Sequence, residues 1–100
     1  METRDLNLTD LDGRYGRLRV ADPRREAQLL ASLAEQGQQD AILVVGGEAG
    51  FIIVDGHKRV RALRRLRRDT VRAAVLEMPA GAALAAAYRA GCVRITGVNL

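Results

Sequence analysis

One hundred residues, 48% of them hydrophobic, suffice for a single domain. With no Trp, one Phe and two Tyr, its core must be aliphatic and modest, so stability is expected to be marginal without a partner. No apolar run approaches the roughly 20 residues that cross a bilayer. METRDLNL is no secretory signal, and the lone Cys92 excludes an internal disulfide, so a cytoplasmic protein is expected. The net charge of +4 conceals an asymmetry. Residues 1–50 carry six basic and nine acidic side chains; residues 51–100 carry ten and three. The second half is therefore the anion-facing side. Lys58 is the only lysine among sixteen bases, and arginine's planar fork suits phosphate.

In chain order, DLNLTDL alternates at Leu6, Leu8 and, after a slip, Leu11, which predicts an edge strand. DGRYGRLRV has turn glycines at Gly13 and Gly16 and an alternation at Leu18 and Val20, a loop with a short strand. ADPRREAQLLASLAEQG predicts a helix. Asp22 suits the N-cap, Pro23 the first helical position and Gly37 the C-terminal stop. Leu29, Leu30, Leu33 and Ala34 share its apolar face. AILVV and FIIV, separated by GGEAG, predict two strands of a hairpin covered on both faces. After Asp55-Gly56, a helix from about His57 to Arg68 presents a narrow stripe of Val60, Leu63 and Leu66, with Ala62 beside it. TVRAAVLEM predicts a further strand, and Pro79 precedes an alanine-rich helix, Ala80 to Ala90. GCVRITGVNL is weakly patterned and stops without a terminating signal, as a longer chain cut short would.

The junction VDGHKRVR carries the chemistry. A strand that ends in glycine and leads straight into a helix exposes backbone N–H groups, and these with the helix dipole favour a phosphate. Gly56 would let an anion approach the backbone. Lys58, Arg59 and Arg61 follow within about one turn and can reach phosphate oxygens as charge-assisted donors. Bases in a first turn oppose the dipole, and a bound anion offsets that penalty. The other reading of the same residues is that Asp55 caps the helix. In that reading Arg64, Arg65, Arg67 and Arg68 form a solvated face, or Arg61, Arg64, Arg65 and Arg68, at roughly helical spacing, track a nucleic-acid backbone. No aromatic residue accompanies them, which argues against stacking on single-strand bases. The lone His57 either donates to the phosphate or sits in solvent. With no cluster of His, Cys or carboxylates at ligand spacing, no metal site is expected in the protein itself.

Two blocks in order, LLASLAEQGQQDAILVV and FIIVDGHKRVRALRRLRRDTVRAAVLEM, resemble the N-terminal domain of the ParB partition proteins, the ParB/sulfiredoxin-like fold, over about residues 5–78. The resemblance implies an α+β fold, a small mixed sheet with packed helices. Residues 1–78 would form the nucleotide-binding domain. Residues 79–100 would hold the alanine-rich helix and the truncated start of a following region. It further implies CTP as ligand, with Mg2+, a homodimer, no membrane, and DNA binding through a longer parent protein in the bacterial nucleoid.

The family's G-E-R-R-x-R-A box falls on Gly56, His57, Lys58, Arg59, Arg61 and Ala62. Gly56 would admit the backbone, Lys58 and Arg59 would hold phosphate oxygens, and Arg61 would support them. Base-side contacts would begin at Gly37. His57 replaces the family's Glu, Lys58 its first Arg, and Asp40-Ala41 its Gln-Pro. The third nucleotide motif, E-N-x-Q-R, is AAAYRAG here, so at most weak CTP hydrolysis is implied and no catalytic residue is assigned.

Two alternatives accompany this reading. One is an accessory domain that binds the DNA backbone through Arg64, Arg65 and Arg68. The other is a phosphotransferase, known on ParB-like folds, for which Asp55 and Glu35 are the candidate carboxylates. Sulfiredoxin chemistry is not expected: the catalytic cysteine of that family's G-C-H-R turn has no counterpart in Asp55-Gly56-His57-Lys58, and Cys92 lies far along the chain.

Overall fold

The computed structural model describes residues 3–16, 23–37 and 40–89. The expected strand at Leu18 and Val20, the Asp22 cap, Ala90, Cys92 and the rest of the C-terminal segment lie outside them. The fold is α+β: β1 (Thr3–Asn7), a 3-10 turn (Leu8–Asp10), β2 (Leu11–Asp12), α1 (Pro23–Gln36), β3 (Ile42–Gly47), β4 (Gly50–Asp55), α2 (His57–Arg65), β5 (Thr70–Leu76) and α3 (Ala80–Arg89). The five strands form one mixed sheet in the order β1-β5-β3-β4-β2. β3 runs antiparallel to β4 and parallel to β5; β1 runs antiparallel to β5, and β2 parallel to β4.

The apolar runs of β3 and β4 are continuous because both faces of the sheet are covered, as their composition predicts. Val44 pairs with Ile53, and both join Leu33 of α1 and Val60 and Leu63 of α2 in one core. Their neighbours Val45 and Ile52 pair on the opposite face, where Val54, Ala83, Leu84 and Ala87 complete a second core under α3. Each buried Val or Leu of this kind stabilises the fold by about 1.5–3 kcal/mol. The layers are therefore α1 and α2 on one face, the sheet, and α3 on the other. Among the described residues no helix is long and apolar enough to cross a membrane.

Three expectations are corrected. DLNLTDL is not one strand. The slip in its alternation is the 3-10 turn, which sends β1 and β2 to opposite edges of the sheet. Leu8 stays buried there, and its N–H donates to the Asp69 carbonyl at 2.9 Å. Ala34 is exposed: α1 packs mainly on α2 through Leu29, Leu30 and Leu33, a narrower stripe than the sequence suggests. Finally, α2 ends at Arg65 rather than Arg68. Arg67 adopts a left-handed φ of 58°, and the N–H groups of Arg67 and Arg68 turn back to Arg64 and Leu63. A left-handed residue after the last turn is an ordinary helix stop, but arginine rather than glycine occupies it, so the composition hides it.

Candidate functional site

Four segments meet where β4 hands over to α2. Gly56 is the N-cap of α2, with φ 112° and ψ 18°, and the cap makes no side-chain hydrogen bond. Gly56 rather than Asp55 thus occupies the N-cap position. The first helical bond runs from Val60 N–H to the Gly56 carbonyl at 3.0 Å. The amides of Lys58 and Arg59 precede that bond and point out of the N-terminal end, as first-turn amides do.

Gly56 is required for a reason the sequence does not reveal. A Cβ there would lie 2.4 Å from Ile42 Cγ2 and 2.7 Å from Ile42 Cβ. Both the left-handed backbone and the closeness of β3 demand glycine. The space on that side of the backbone belongs to the core, so an anion must approach the amides from elsewhere.

Of the two readings of His57, the one that places it in solvent is excluded. Its side chain is buried at 5% exposure, beneath the loop that follows β2. A Cβ on Gly16 would come within 3.3 Å of His57 Cδ2, and one on Gly13 within 3.8 Å, so small residues let the loop close over the ring. Arg14 shapes that loop. Its Nη2 and Nε donate to Asp12 Oδ2 at 2.7 and 3.1 Å, and its backbone N–H donates to Asp12 Oδ1 at 2.9 Å. These bonds hold the Asp12 carboxyl below the usual carboxylate range, which makes it a poor proton acceptor.

The bases of α2 diverge around the helix. Lys58, Arg61 and Arg65 line a cleft of about 190 Å3 between α2 and α1, with Ala62, Leu30 and Glu26 completing it. Arg61 donates to Glu26, which stands in the first turn of α1. Arg59 points the other way, and its Nη2 meets Asp40 Oδ2 at 3.3 Å. Arg64, exposed overall, is tied down at its tip: its Nη2 donates to the Leu8 carbonyl at 3.2 Å and links α2 to the 3-10 turn. Arg65, Arg67 and Arg68 are exposed.

The DNA-backbone alternative therefore loses Arg64 to a structural role, and the solvated row is shorter than its spacing suggests. Gly37 closes α1 at φ 74°, with its N–H donating to the Leu33 carbonyl at 3.0 Å. Three residues later Asp40 reaches the basic box. Glu26 and Asp40 were missed by sequence reasoning, because nothing local in the chain links them to residues 35 and 19 positions away. Among the described residues no group of three or more His, Cys, Asp or Glu could hold a metal ion.

Comparison with known proteins places this geometry. The fold superposes on the C-terminally truncated chromosome-partitioning protein ParB from Caulobacter crescentus complexed with CTP-gamma-S, with a TM-score of 0.76 and 23% identity. That match covers 100% of this chain and 56% of the ParB chain, so the chain spans about half of that relative. Sulfiredoxin from Arabidopsis thaliana matches with a TM-score of 0.69 and 22% identity, covering 78% of this chain and 88% of its own. A free serine kinase in complex with AMP matches at 0.64 and 19% identity, over 76% of this chain and 31% of the kinase. At these identities the likeness is one of fold. No curated protein matches the chain. The family of ParB N-terminal domains matches residues 1–91, nearly the whole chain, and with the mixed sheet and the basic box at its strand–helix junction this chain belongs to that family.

Proposed function

We propose that this domain binds a nucleoside triphosphate of the CTP type, with Mg2+, through its phosphates at the start of α2. It would be the nucleotide-binding module of a longer, dimeric DNA-partition protein of the bacterial nucleoid. The observation that carries the reading is a helix that opens at Gly56 with no acidic residue in its first turn and with Lys58, Arg59 and Arg61 in its first turns. A phosphate there would meet backbone amides and the positive end of the helix dipole, with Arg59 on one side of the helix and Lys58 and Arg61 on the other. The residues present suit a phosphate group; Gly56 shapes the backbone, and the three bases would hold the oxygens. The likeness to a ParB solved with a CTP analogue supports the same ligand class. Base-side contacts would come from the segment between Gly37 and Ala41, where this chain departs from the family pattern.

The likeness to a serine kinase favours phosphoryl transfer as the second reading. It requires a carboxylate to take the hydroxyl proton, and Asp55, half-buried at the end of β4, is the candidate nearest the box in sequence.

Calorimetric titration of CTP, ATP and GTP with magnesium tests the first reading, on wild type and on Arg68→Ala. CTP is expected to bind in the micromolar-to-millimolar range, with Arg68→Ala within about twofold of wild type because Arg68 is remote from the phosphates. A steep loss in Arg68→Ala would move the account to the exposed arginine face. Consumption of ATP in the presence of free serine would favour the kinase reading.

A further inference from the structure

We propose that Glu26 and Asp40 are built-in counter-anions, which occupy the arginine forks of the site until a polyphosphate displaces them. This rests on the phosphate reading of the α2 junction and adds what sets its ligand threshold. Arg61 donates to Glu26, and Arg59 Nη2 lies 3.3 Å from Asp40 Oδ2. Both acids belong to the segment that flanks α2: Glu26 opens α1, and Asp40 precedes β3. Two of the three cations assigned to phosphate therefore already hold a carboxylate of the chain.

Exposure decides what these pairs can do. Each pair has one open partner and one partly covered one: Asp40 is 76% exposed against 30% for Arg59, and Arg61 50% against 30% for Glu26. An exposed pair is worth about two- to fivefold in an equilibrium constant, too little to lock the site. A phosphate offers an arginine fork shorter, charge-assisted bonds, often two at once. It also carries more charge than one carboxylate. Exchange is therefore favourable for a polyphosphate and unfavourable for a weak monoanion. Once displaced, both carboxylates remain beside the ligand and repel it, so the threshold rises further. The position of Asp40 is where the resemblance expects a neutral glutamine, so this chain has gained a charge at the mouth of its site.

The test is calorimetric titration of sodium tripolyphosphate and of Mg-CTP into wild type, Asp40→Asn, Glu26→Gln and the double variant. Glu48→Gln, an exposed acid on the β3–β4 turn at the opposite end of β4, controls for net charge alone. Each single substitution is expected to tighten tripolyphosphate about two- to fivefold beyond the control, and the double variant about tenfold. Binding by the double variant where wild type shows none also supports the proposal. If the double variant takes tripolyphosphate without preference for CTP, the counter-anions stand and the nucleotide reading falls. Wild type that binds CTP while the acid variants match Glu48→Gln would overturn the counter-anions and leave the nucleotide reading intact. No binding of either ligand by any variant would overturn both.

Discussion

Gly56→Ala is expected to destabilise the domain by about 2–5 kcal/mol, from a left-handed backbone cost of about 1–2 kcal/mol and an overpacking cost of about 1–3 kcal/mol. The first cost follows from φ 112° at the α2 cap; the second from a Cβ that would sit 2.4 Å from Ile42 Cγ2. Ile42 is 1% exposed on a central strand, so the clash cannot be relieved by turning a side chain into solvent. Against a total of about 5–15 kcal/mol, the loss takes a large part of the fold's margin. Urea unfolding reads it directly. The companion Ile42→Ala removes the nearest obstructing atom, Cγ2, while keeping the Cβ at 2.7 Å, so Gly56→Ala with Ile42→Ala should be only partly relieved, less destabilised than the sum of the two singles by about 1 kcal/mol. An unfolding midpoint equal to wild type would show that the junction does not pack as described. The same argument fixes which variants can report on ligand. Binding lost in a Gly56 variant would reflect a damaged fold, so the phosphate question belongs to side chains.

Arg59→Ala is that side-chain test, and it is expected to weaken Mg-CTP binding about 10- to 100-fold, the worth of a charge-assisted hydrogen bond to phosphate. The same substitution should cost stability by less than about 1 kcal/mol, because its partner Asp40 is exposed and such pairs contribute little. The separation between a large binding effect and a small folding effect distinguishes a ligand contact from a structural one. Arg64→Ala should behave the opposite way. The bond from Arg64 to the Leu8 carbonyl belongs to the packing of α2, so its loss shows in unfolding and not in nucleotide titration. An Arg59→Ala protein that binds CTP within twofold of wild type would remove the arginine from the site.

What was legible in the sequence follows from how local each signal is. The β3–β4 hairpin, both of its covered faces and the start of α2 could be read because run length, β-branched content and Asp55-Gly56 are contiguous. The pairing of Val44 with Ile53 and Val45 with Ile52 sorts those residues onto the two faces that their unbroken apolarity requires. Boundaries that depend on a single backbone angle were lost. Arg67 ends α2 with a left-handed φ that no glycine advertises, and the 3-10 turn at Leu8 splits what reads as one strand. In the site, the basic box was found and its surroundings were not. For His57 the sequence leaves a phosphate donor and a solvent residue equally open. Only the tertiary position of Gly13 and Gly16, more than 40 residues earlier, shows that a loop covers it. The need for glycine at position 56 was legible, while its cause, the approach of Ile42, depends on a neighbouring strand. Glu26 on α1 and Asp40 in the connection before β3 come from one flanking segment to meet Arg61 and Arg59, a juxtaposition made by tertiary packing.

Backbone amide shifts of the unmodified domain, followed by NMR while Mg-CTP is added, test most directly whether the start of α2 receives phosphate. The largest downfield movements should fall on Lys58 and Arg59, with smaller ones at Asp40 and in the loop over His57, saturating along one binding curve. Shifts that cluster instead on Arg65, Arg67 and Arg68, or that are absent while the nucleotide demonstrably binds, would contradict the account.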